Sequence, residues 1–363
     1  MVSYYLLWIS FIFFTLLSKF KKLNAVSVFS IFLLVFLFVG LRPVSLGTDT
    51  LSYFEIYESW NYGVFDSGLE YIFSFLVTSF KYFNLDFSYF LAFLTSIFLA
   101  GIFVFWKGFF KGDAVFLLLV FSTLNFWLFS LNIIRNGIAF SFLLIGIYFF
   151  IKKGRGSLGL YLSLLLAIGF HISIIFAIVA LMLFSKRVIS NNINKIPILL
   201  AFSQLLVFLG IDLLQIFHTL IVMFQGYLPD RLVSRFFLYL SLDGSNPLRI
   251  GYTYYLNLVV LLFSLFFEKK YRNRSSAEDH YLYLLSIFFV AIFVLLYPMI
   301  YKYSAFSRVL SNFEFFHIIL LFKMIKLNIK SRHAFILLLM ISSLFFLKVV
   351  ISGFSYNFLM DRF

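Results

Sequence analysis

The sequence predicts an all-α, polytopic integral membrane protein with about 12 transmembrane helices. Apolar residues make up 63% of the 363 residues, charged residues make up 12%, and the mean hydropathy is +1.03. A soluble domain is about 45–50% apolar and about 25% charged. The apolar residues form long uninterrupted runs, whereas a β-barrel needs alternating polar and apolar positions. We therefore expect one polytopic membrane domain over residues 1–363.

The individual spans follow from these apolar runs and from the charged residues between them. We expect spans over residues 2–18, 25–40, 87–106, 114–151 (two, turning at 132–136), 196–217, a run ending at 268, 281–297, 309–322 and 334–351. Residues 68–83 are apolar but contain Glu70 and Lys81, which favours an interfacial or re-entrant segment.

The segment 158–184 is too short for two full spans, which need roughly 40 residues. Basic clusters flank it on both sides, and the positive-inside rule places both clusters on one side of the membrane. The sequence therefore predicts a hairpin of short helices with His171 near its tip, and a single long tilted helix is the alternative.

Basic residues also predict the orientation. Lysine and arginine follow every second predicted span, which marks that side as cytoplasmic and places both termini outside, together with large outer loops at about 41–67 and 225–250. The net charge of +14 is thus a topology signal and does not indicate nucleic acid. The N-terminus has no basic region or small-residue cleavage site, so we expect a retained span.

The segment Leu41 to Trp60, LRPVSLGTDTLSYFEIYESW, is the first long interruption of the apolar pattern. Acids, an arginine and aromatic rings are the groups with which proteins hold sugars. Arg42, Tyr53 and Tyr57 are candidate substrate-binding residues, and Asp49 and Glu55 are candidate general bases, because positioned carboxylates do that work. A solvated loop without catalytic function is the alternative.

Several arginines lie on the predicted outer side, against the topology rule. Arginine forms planar, bidentate pairs with phosphate, so the group favours an anionic ligand, although arginines that reach lipid headgroups would give the same pattern. Within PDRLVSRFFLYL, a stripe with four-residue spacing could contact a diphosphate and an adjoining sugar. The candidate substrate-binding residues outside the first loop are Arg231, Arg235, Tyr239 and Arg308.

Two further ionisable residues lie at the edges of apolar segments. Arg135 occurs in LNIIRNGIAFSF, at the predicted outer start of a span, and His171 occurs in AIGFHISIIF. Ionisable groups at membrane depth are costly and are functional candidates, and histidine can carry a proton near neutral pH. We expect both residues to be catalytic, with a helix cap or an interfacial residue as the alternative.

The pattern resembles the EpsG/Wzy-type polysaccharide polymerases of bacterial capsule, O-antigen and exopolysaccharide loci. The resemblance rests on GLRPVSLGTDTLSYFEIYE, GLEYIFSFL, NIIRNGIAFSFLLIGIYFFIKK and LLLAIGFHISIIFAI, with weaker similarity at RFFLYL and FSRVLSNFEFF. It implies a metal-independent glycosyltransferase of the bacterial cytoplasmic (inner) membrane. Such an enzyme joins oligosaccharide repeat units carried on undecaprenyl diphosphate at the outer face and contacts membrane lipid. A chain-length regulator is a further expected partner.

Other classes receive less support from the residues. The chain has no Cys, no metal-ligand cluster and no phosphate-binding glycine loop, so we expect neither a metal nor another cofactor. A flippase or transporter of the same lipid-linked oligosaccharide would need charges at mid-depth on both sides of the membrane. A membrane acyltransferase that modifies the polysaccharide would need an essential pair of a histidine and an acid.

Overall fold

The computed structural model describes residues 2–60, 70–110, 112–209, 213–224, 252–300 and 304–351, together with Tyr227, Val233, Ser234 and Phe237. These residues contain helices and no strands. Their contacts divide the chain into two compact units. The first comprises Met1–Ile178 and Asn328–Phe363, and the second comprises Val179–Leu327.

The first unit is built from helices that differ widely in length. They are α1 (Val2–Leu17), α2 (Asn24–Gly40), α3 (Thr48–Glu58), α4 (Tyr71–Tyr82), α5 (Phe87–Phe110), α6 (Ala114–Phe121), α7 (Leu124–Trp127), α8 (Ile134–Lys153) and α9 (Leu158–Phe170). Helix α10 (Ile175–Leu183) crosses the boundary between the units.

The second unit continues the helical chain. It contains α11 (Lys186–Asn192), α12 (Ile196–Phe208), α13 (Leu213–Phe224), α14 (Tyr252–Arg272), α15 (Ala277–Ile300), α16 (Ser304–Glu314) and α17 (Phe316–Asn328). The last helix, α18 (Ser331–Ile351), belongs to the first unit, where Trp8 stacks on Phe346 with their ring centroids 4.5 Å apart.

The structure supports a helical membrane protein but not the predicted span count. Within the described ranges, α5, α8, α15 and α18 are long and apolar enough to cross a membrane. Two broken helix pairs, Ala114–Phe121 with Leu124–Asn132 and Ile172–Leu183 with Lys186–Phe208, raise the number of candidates to at most six if each pair forms one span. The difference from about 12 arises because several apolar runs fold as shorter or broken helices, below the roughly 20 residues that a span needs.

Glycines bring three helices of the first unit into close contact. A Cβ at Gly101 of α5 would lie 2.5 Å from the Ser141 Cβ of α8, and one at Gly108 would lie 2.5 Å from the Tyr148 ring. Both contact pairs are separated by 40 residues, so α5 and α8 run in the same direction. A Cβ at Gly146 would lie 2.9 Å from Leu164 of α9. Small residues at such contacts let membrane helices pack closely.

Candidate functional site

The loop before α3 is anchored by an internal arginine. Arg42 is 6% exposed and donates hydrogen bonds to the carbonyls of Val39, Leu46 and Leu131 and to the Thr50 hydroxyl. The Thr50 hydroxyl itself donates to the Leu131 carbonyl at 3.1 Å. Burial lowers the pKa of Arg42 to about 9, which still leaves it charged at neutral pH.

The approach of this loop to Leu131 requires a glycine. Gly47 has a φ of 94°, and a Cβ added there would lie 2.2 Å from the Leu131 carbonyl oxygen. Only glycine accepts this backbone region without strain and leaves room for the carbonyl. The GTDT sequence thus holds the start of α3 against the turn before α8, and it places Tyr53 one helical turn after Thr50.

The start of α8 presents Arg135 to the same region. A π-helical turn, Leu128–Asn132, ends at Ile133, and Arg135 follows in the first turn of α8. A Cβ at Gly137 would lie 2.5 Å from the Phe129 carbonyl oxygen, so the glycine of the NG sequence allows the π-helical turn to fold back closely on α8. The sequence-based prediction that a helix starts here is confirmed.

His171 interrupts the segment between α9 and α10. Its backbone is extended (φ −159°, ψ 117°), and the helical chain resumes with a 3₁₀ turn at Ile172–Ile174. The predicted break near His171 therefore agrees with the structure, which has two short helices in place of a single long one, whereas their arrangement as a hairpin stays a prediction. Helix α4 packs on α9 close to this break, where a Cβ at Gly169 would lie 2.2 Å from Ile72 Cδ1.

These elements bring Arg135, Glu70 and His171 together in what we call the Arg135–Glu70–His171 cluster. Glu70 directly precedes α4 and uses both carboxylate oxygens: Oε2 pairs with Arg135 Nη1, and Oε1 lies 2.9 Å from His171 Nδ1. Arg135 Nε donates to the Tyr53 hydroxyl at 3.2 Å. The guanidinium also lies 5.5 Å from the Tyr53 ring centroid and 5.6 Å from that of Phe73, within range of cation–π attraction.

Glu70 is ionised in this cluster. Burial alone would raise the pKa of Glu70, but the hydrogen bond to His171 and the charges of Arg135 and of a protonated His171 outweigh it and lower the pKa to about 2. An ionised carboxylate can only accept hydrogen bonds, so His171 Nδ1 must carry the hydrogen between them. In its neutral form the imidazole then has its lone pair on Nε2, for which the described residues provide no hydrogen-bond partner.

The cluster is accessible enough to meet a substrate. The side chains of His171, Arg135 and Glu70 are 28%, 22% and 17% exposed, respectively. With a neutral His171, the charges of Glu70 and Arg135 cancel. An imidazole oriented by a carboxylate, with its other nitrogen open, is the arrangement of a general base. Within the described residues, no group of three or more His, Cys, Asp or Glu could hold a metal ion.

The structure places the other predicted site residues in different surroundings. Asp49 lies in the first turn of α3, and burial, with a smaller contribution from the Asp49 charge, raises the pKa of Tyr53. Glu55 is exposed on α3. Tyr57 is 1% exposed and donates from its hydroxyl to the Leu85 carbonyl at 2.5 Å. Arg42 and Tyr57 are therefore buried side chains that anchor the surrounding backbone, and neither is open to a substrate.

The remaining predicted residues lie elsewhere. Arg308 is in α16 of the second unit, where its carbonyl accepts a hydrogen bond from the Ser311 hydroxyl. Arg231, Arg235 and Tyr239 lie outside the described residues.

Sequence reasoning missed Glu70 as a site residue. Glu70 is 65 residues from Arg135 and 101 residues from His171 along the chain, so no local spacing relates the three. The available signal was a lone acid in the apolar sequence GLEYIFSFL, because an ionisable residue in such a segment usually has a partner or a function.

The fold and this cluster together define a polytopic helical membrane protein with a carboxylate-oriented histidine. The EpsG family model matches residues 25–361, so the chain belongs to the EpsG family. Membership indicates a polysaccharide polymerase in the general sense. A search of curated proteins and a search of solved structures found no match.

Proposed function

We propose that this protein joins oligosaccharide repeat units carried on undecaprenyl diphosphate, at the outer face of the bacterial cytoplasmic membrane. The observation that carries the proposal is the Arg135–Glu70–His171 cluster, in which a carboxylate orients a histidine beside an arginine. A glycosyl transfer of this kind needs a base for the acceptor hydroxyl and positive charge for the departing diphosphate. The cluster supplies both types of group.

In the proposed reaction, His171 is the base. An acceptor sugar hydroxyl attacks the anomeric carbon of the donor, the bond from that carbon to the diphosphate oxygen breaks, and the diphosphate leaves on its lipid. The hydroxyl proton moves to His171 Nε2, while Glu70 holds Nδ1 and stabilises the imidazolium that forms. Glu70 acts through His171 and is a positioning residue.

The net charge of the cluster becomes more positive during this step, which favours departure of the diphosphate. With His171 in the neutral form that can act as a base, the cluster has no net charge before reaction, because Glu70 cancels Arg135. Once His171 accepts the proton, the cluster carries one net positive charge at the moment when negative charge develops on the leaving diphosphate. Electrostatic stabilisation of this kind makes a large contribution to the rate enhancement of many enzymes. The proposal also keeps Arg231, Arg235, Tyr239 and Arg308 as diphosphate or sugar contacts.

Complementation of a deletion strain tests the reaction. We expect His171→Ala to leave single repeat units on the lipid carrier at the outer face and to produce no long polysaccharide. His333→Ala is the matched control, because His333 is exposed in the first turn of α18 and should support normal polymer. Long polymer from His171→Ala, at a normal level of protein in the membrane, would exclude His171 as the base.

The same strains test the membrane side. Reporter fusions within residues 41–60 should read outside the cytoplasm, and fusions after Lys153 should read inside. Single units trapped at the cytoplasmic face of the deletion strain would instead indicate a flippase, whatever the fusions report.

An acyltransferase is the second candidate, because the pairing of His171 with Glu70 is also the arrangement that acyl transfer needs. The products separate the two functions. A deletion strain that makes polysaccharide of normal length without its acyl groups would support the acyltransferase and contradict the polymerase.

A further inference from the structure

A groove of about 800 Å³ runs between α2 and α5 in the first unit, away from the Arg135–Glu70–His171 cluster. This volume falls within the range of about 300–1,000 Å³ that is usual for small-molecule sites. Its walls come from phenylalanines on α2 and from one stripe of α5: Phe29, Phe32, Phe36, Ser96, Ala100 and Phe103. The small residues Ser96 and Ala100 leave the space that larger side chains would fill.

The groove is apolar along its length and polar at one end. The Ser96 hydroxyl donates to the carbonyl of Ala92 in its own helix at 2.9 Å and so presents no open donor. Lys107 and Asn24 line the opposite end, and the exposed Lys21 and Lys22 lie in the turn directly before α2. A long apolar slot with cations at one end matches the shape and charge of an anionic lipid.

Lys21, Lys22 and Lys107 outnumber Asp113, the acid that follows α5 in the sequence. Asp113 follows the groove residue Gly112 but is not part of the groove lining. Its carboxylate caps α6 by accepting from the Val115 backbone nitrogen at 3.1 Å. The Lys107 ammonium lies 5.7 Å from the Phe103 ring centroid, so its stem follows the groove wall while its charge stays at the mouth.

The length of the groove identifies the kind of lipid. Ser96 and Lys107 are eleven residues apart on α5, which corresponds to about 16 Å of helix. One leaflet contributes about 15 Å of the hydrocarbon core. A phospholipid chain from the leaflet at the Lys107 end therefore fits, whereas a membrane-spanning polyisoprenoid would extend well past the groove.

We propose that the α2–α5 groove is a binding site for an anionic phospholipid, with its phosphate at Lys107 and one acyl chain along Ser96, Ala100 and Phe103. The site is independent of the proposed glycosyl transfer. Its occupancy would fill the space between α2 and α5 and so stabilise the packing of the first unit.

Native mass spectrometry of the purified full chain tests this site with phosphatidylglycerol and phosphatidylcholine of identical acyl chains. We expect the wild-type protein to retain phosphatidylglycerol preferentially. Lys107→Gln should weaken that binding about fivefold, the effect of one lysine near an anionic headgroup. Lys153→Gln, which removes an exposed lysine outside the groove, should leave binding unchanged.

A second pair of variants tests the chain-binding slot. Ala100→Phe should fill the groove and reduce retention of phosphatidylglycerol, while Ala201→Phe, at an exposed alanine of α12, should not. Equal retention of the two lipids, or normal retention by Ala100→Phe, would overturn the proposal. Tighter binding of an isoprenyl phosphate than of phosphatidylglycerol would also overturn it.

Discussion

Replacing Glu70 by glutamine is the sharpest perturbation of the candidate site. Glutamine keeps the size and one acceptor oxygen but removes the charge that both Arg135 and His171 meet. A hydrogen bond to a charged group contributes about 1.5–3 kcal/mol, so the loss of imidazolium stabilisation should slow polymerisation roughly ten- to hundredfold. Chain formation from lipid-linked repeat units, measured in membranes with equal amounts of protein, gives this rate directly.

A double-mutant cycle with Arg135→Gln separates charge pairing from general damage. Exposed ion pairs contribute about 0–1 kcal/mol, and breaking a fully buried pair costs about 3–5 kcal/mol. The Arg135 and Glu70 side chains are 22% and 17% exposed, which lies between these two cases. We therefore expect the unfolding free energies of the cycle to give a coupling energy of about 2 kcal/mol between the two side chains. Glu58→Gln is the control, because Glu58 is an exposed acid paired with Lys81.

Two outcomes would refute this reasoning. Polymerisation at more than half of the wild-type rate in Glu70→Gln would show that His171 does not need the carboxylate. Additive effects of Glu70→Gln and Arg135→Gln on the free energy of unfolding would show that the two side chains are not coupled.

Two further predictions concern acid stability and the loop before α3. The pKa of Glu70 is lowered from 4.5 to about 2 in the folded protein. The stabilisation of the fold by the ionised carboxylate is therefore complete above pH 4.5 and is lost as the pH falls through about 2. In thermal unfolding, the wild type should lose about 3 kcal/mol more than Glu70→Gln across that window, and an equal loss would contradict the pairing. Gly47→Ala should lower the free energy of unfolding by more than about 2 kcal/mol, because the added Cβ would clash with the Leu131 carbonyl oxygen. Gly154 has a φ of 81° and nothing within 4 Å of an added Cβ, so Gly154→Ala should lower it by about 1 kcal/mol in the same assay. Equal losses in the two variants would exclude the clash.

The parts of the site that were predictable from sequence carry a local signal. Arg135 follows a turn sequence and begins an apolar run, which marks a charged residue at a helix start. His171 lies between two basic clusters that are too close for two full spans, which predicts a break in the helix. Both inferences depend only on neighbouring residues and on membrane thickness.

The parts that were not predictable depend on long-range packing. Arg42 and Tyr57 have the side chains of sugar and phosphate ligands, yet they turn inward and bond to the carbonyls of Leu131 and Leu85, among others. Residue type alone cannot show which polar groups in a loop face inward. The predicted number of spans differs from the structure for a related reason. An apolar run has the same composition whether its helix is straight or broken, as at Ile133.

The structure also orders the candidate bases by chemistry. A carboxylate whose pKa is about 2, as at Glu70, holds protons too weakly to take one from a sugar hydroxyl efficiently, because the best base has a pKa near the working pH. Glu55 is exposed on α3, and Asp49 lies near Tyr53. His171 combines a fixed tautomer, partial exposure and an open Nε2, so the geometry favours it over the acids. On this account the ion pair of Arg135 with Glu70 serves the histidine: it keeps the carboxylate ionised, and the ionised carboxylate keeps the proton-accepting nitrogen turned away from itself.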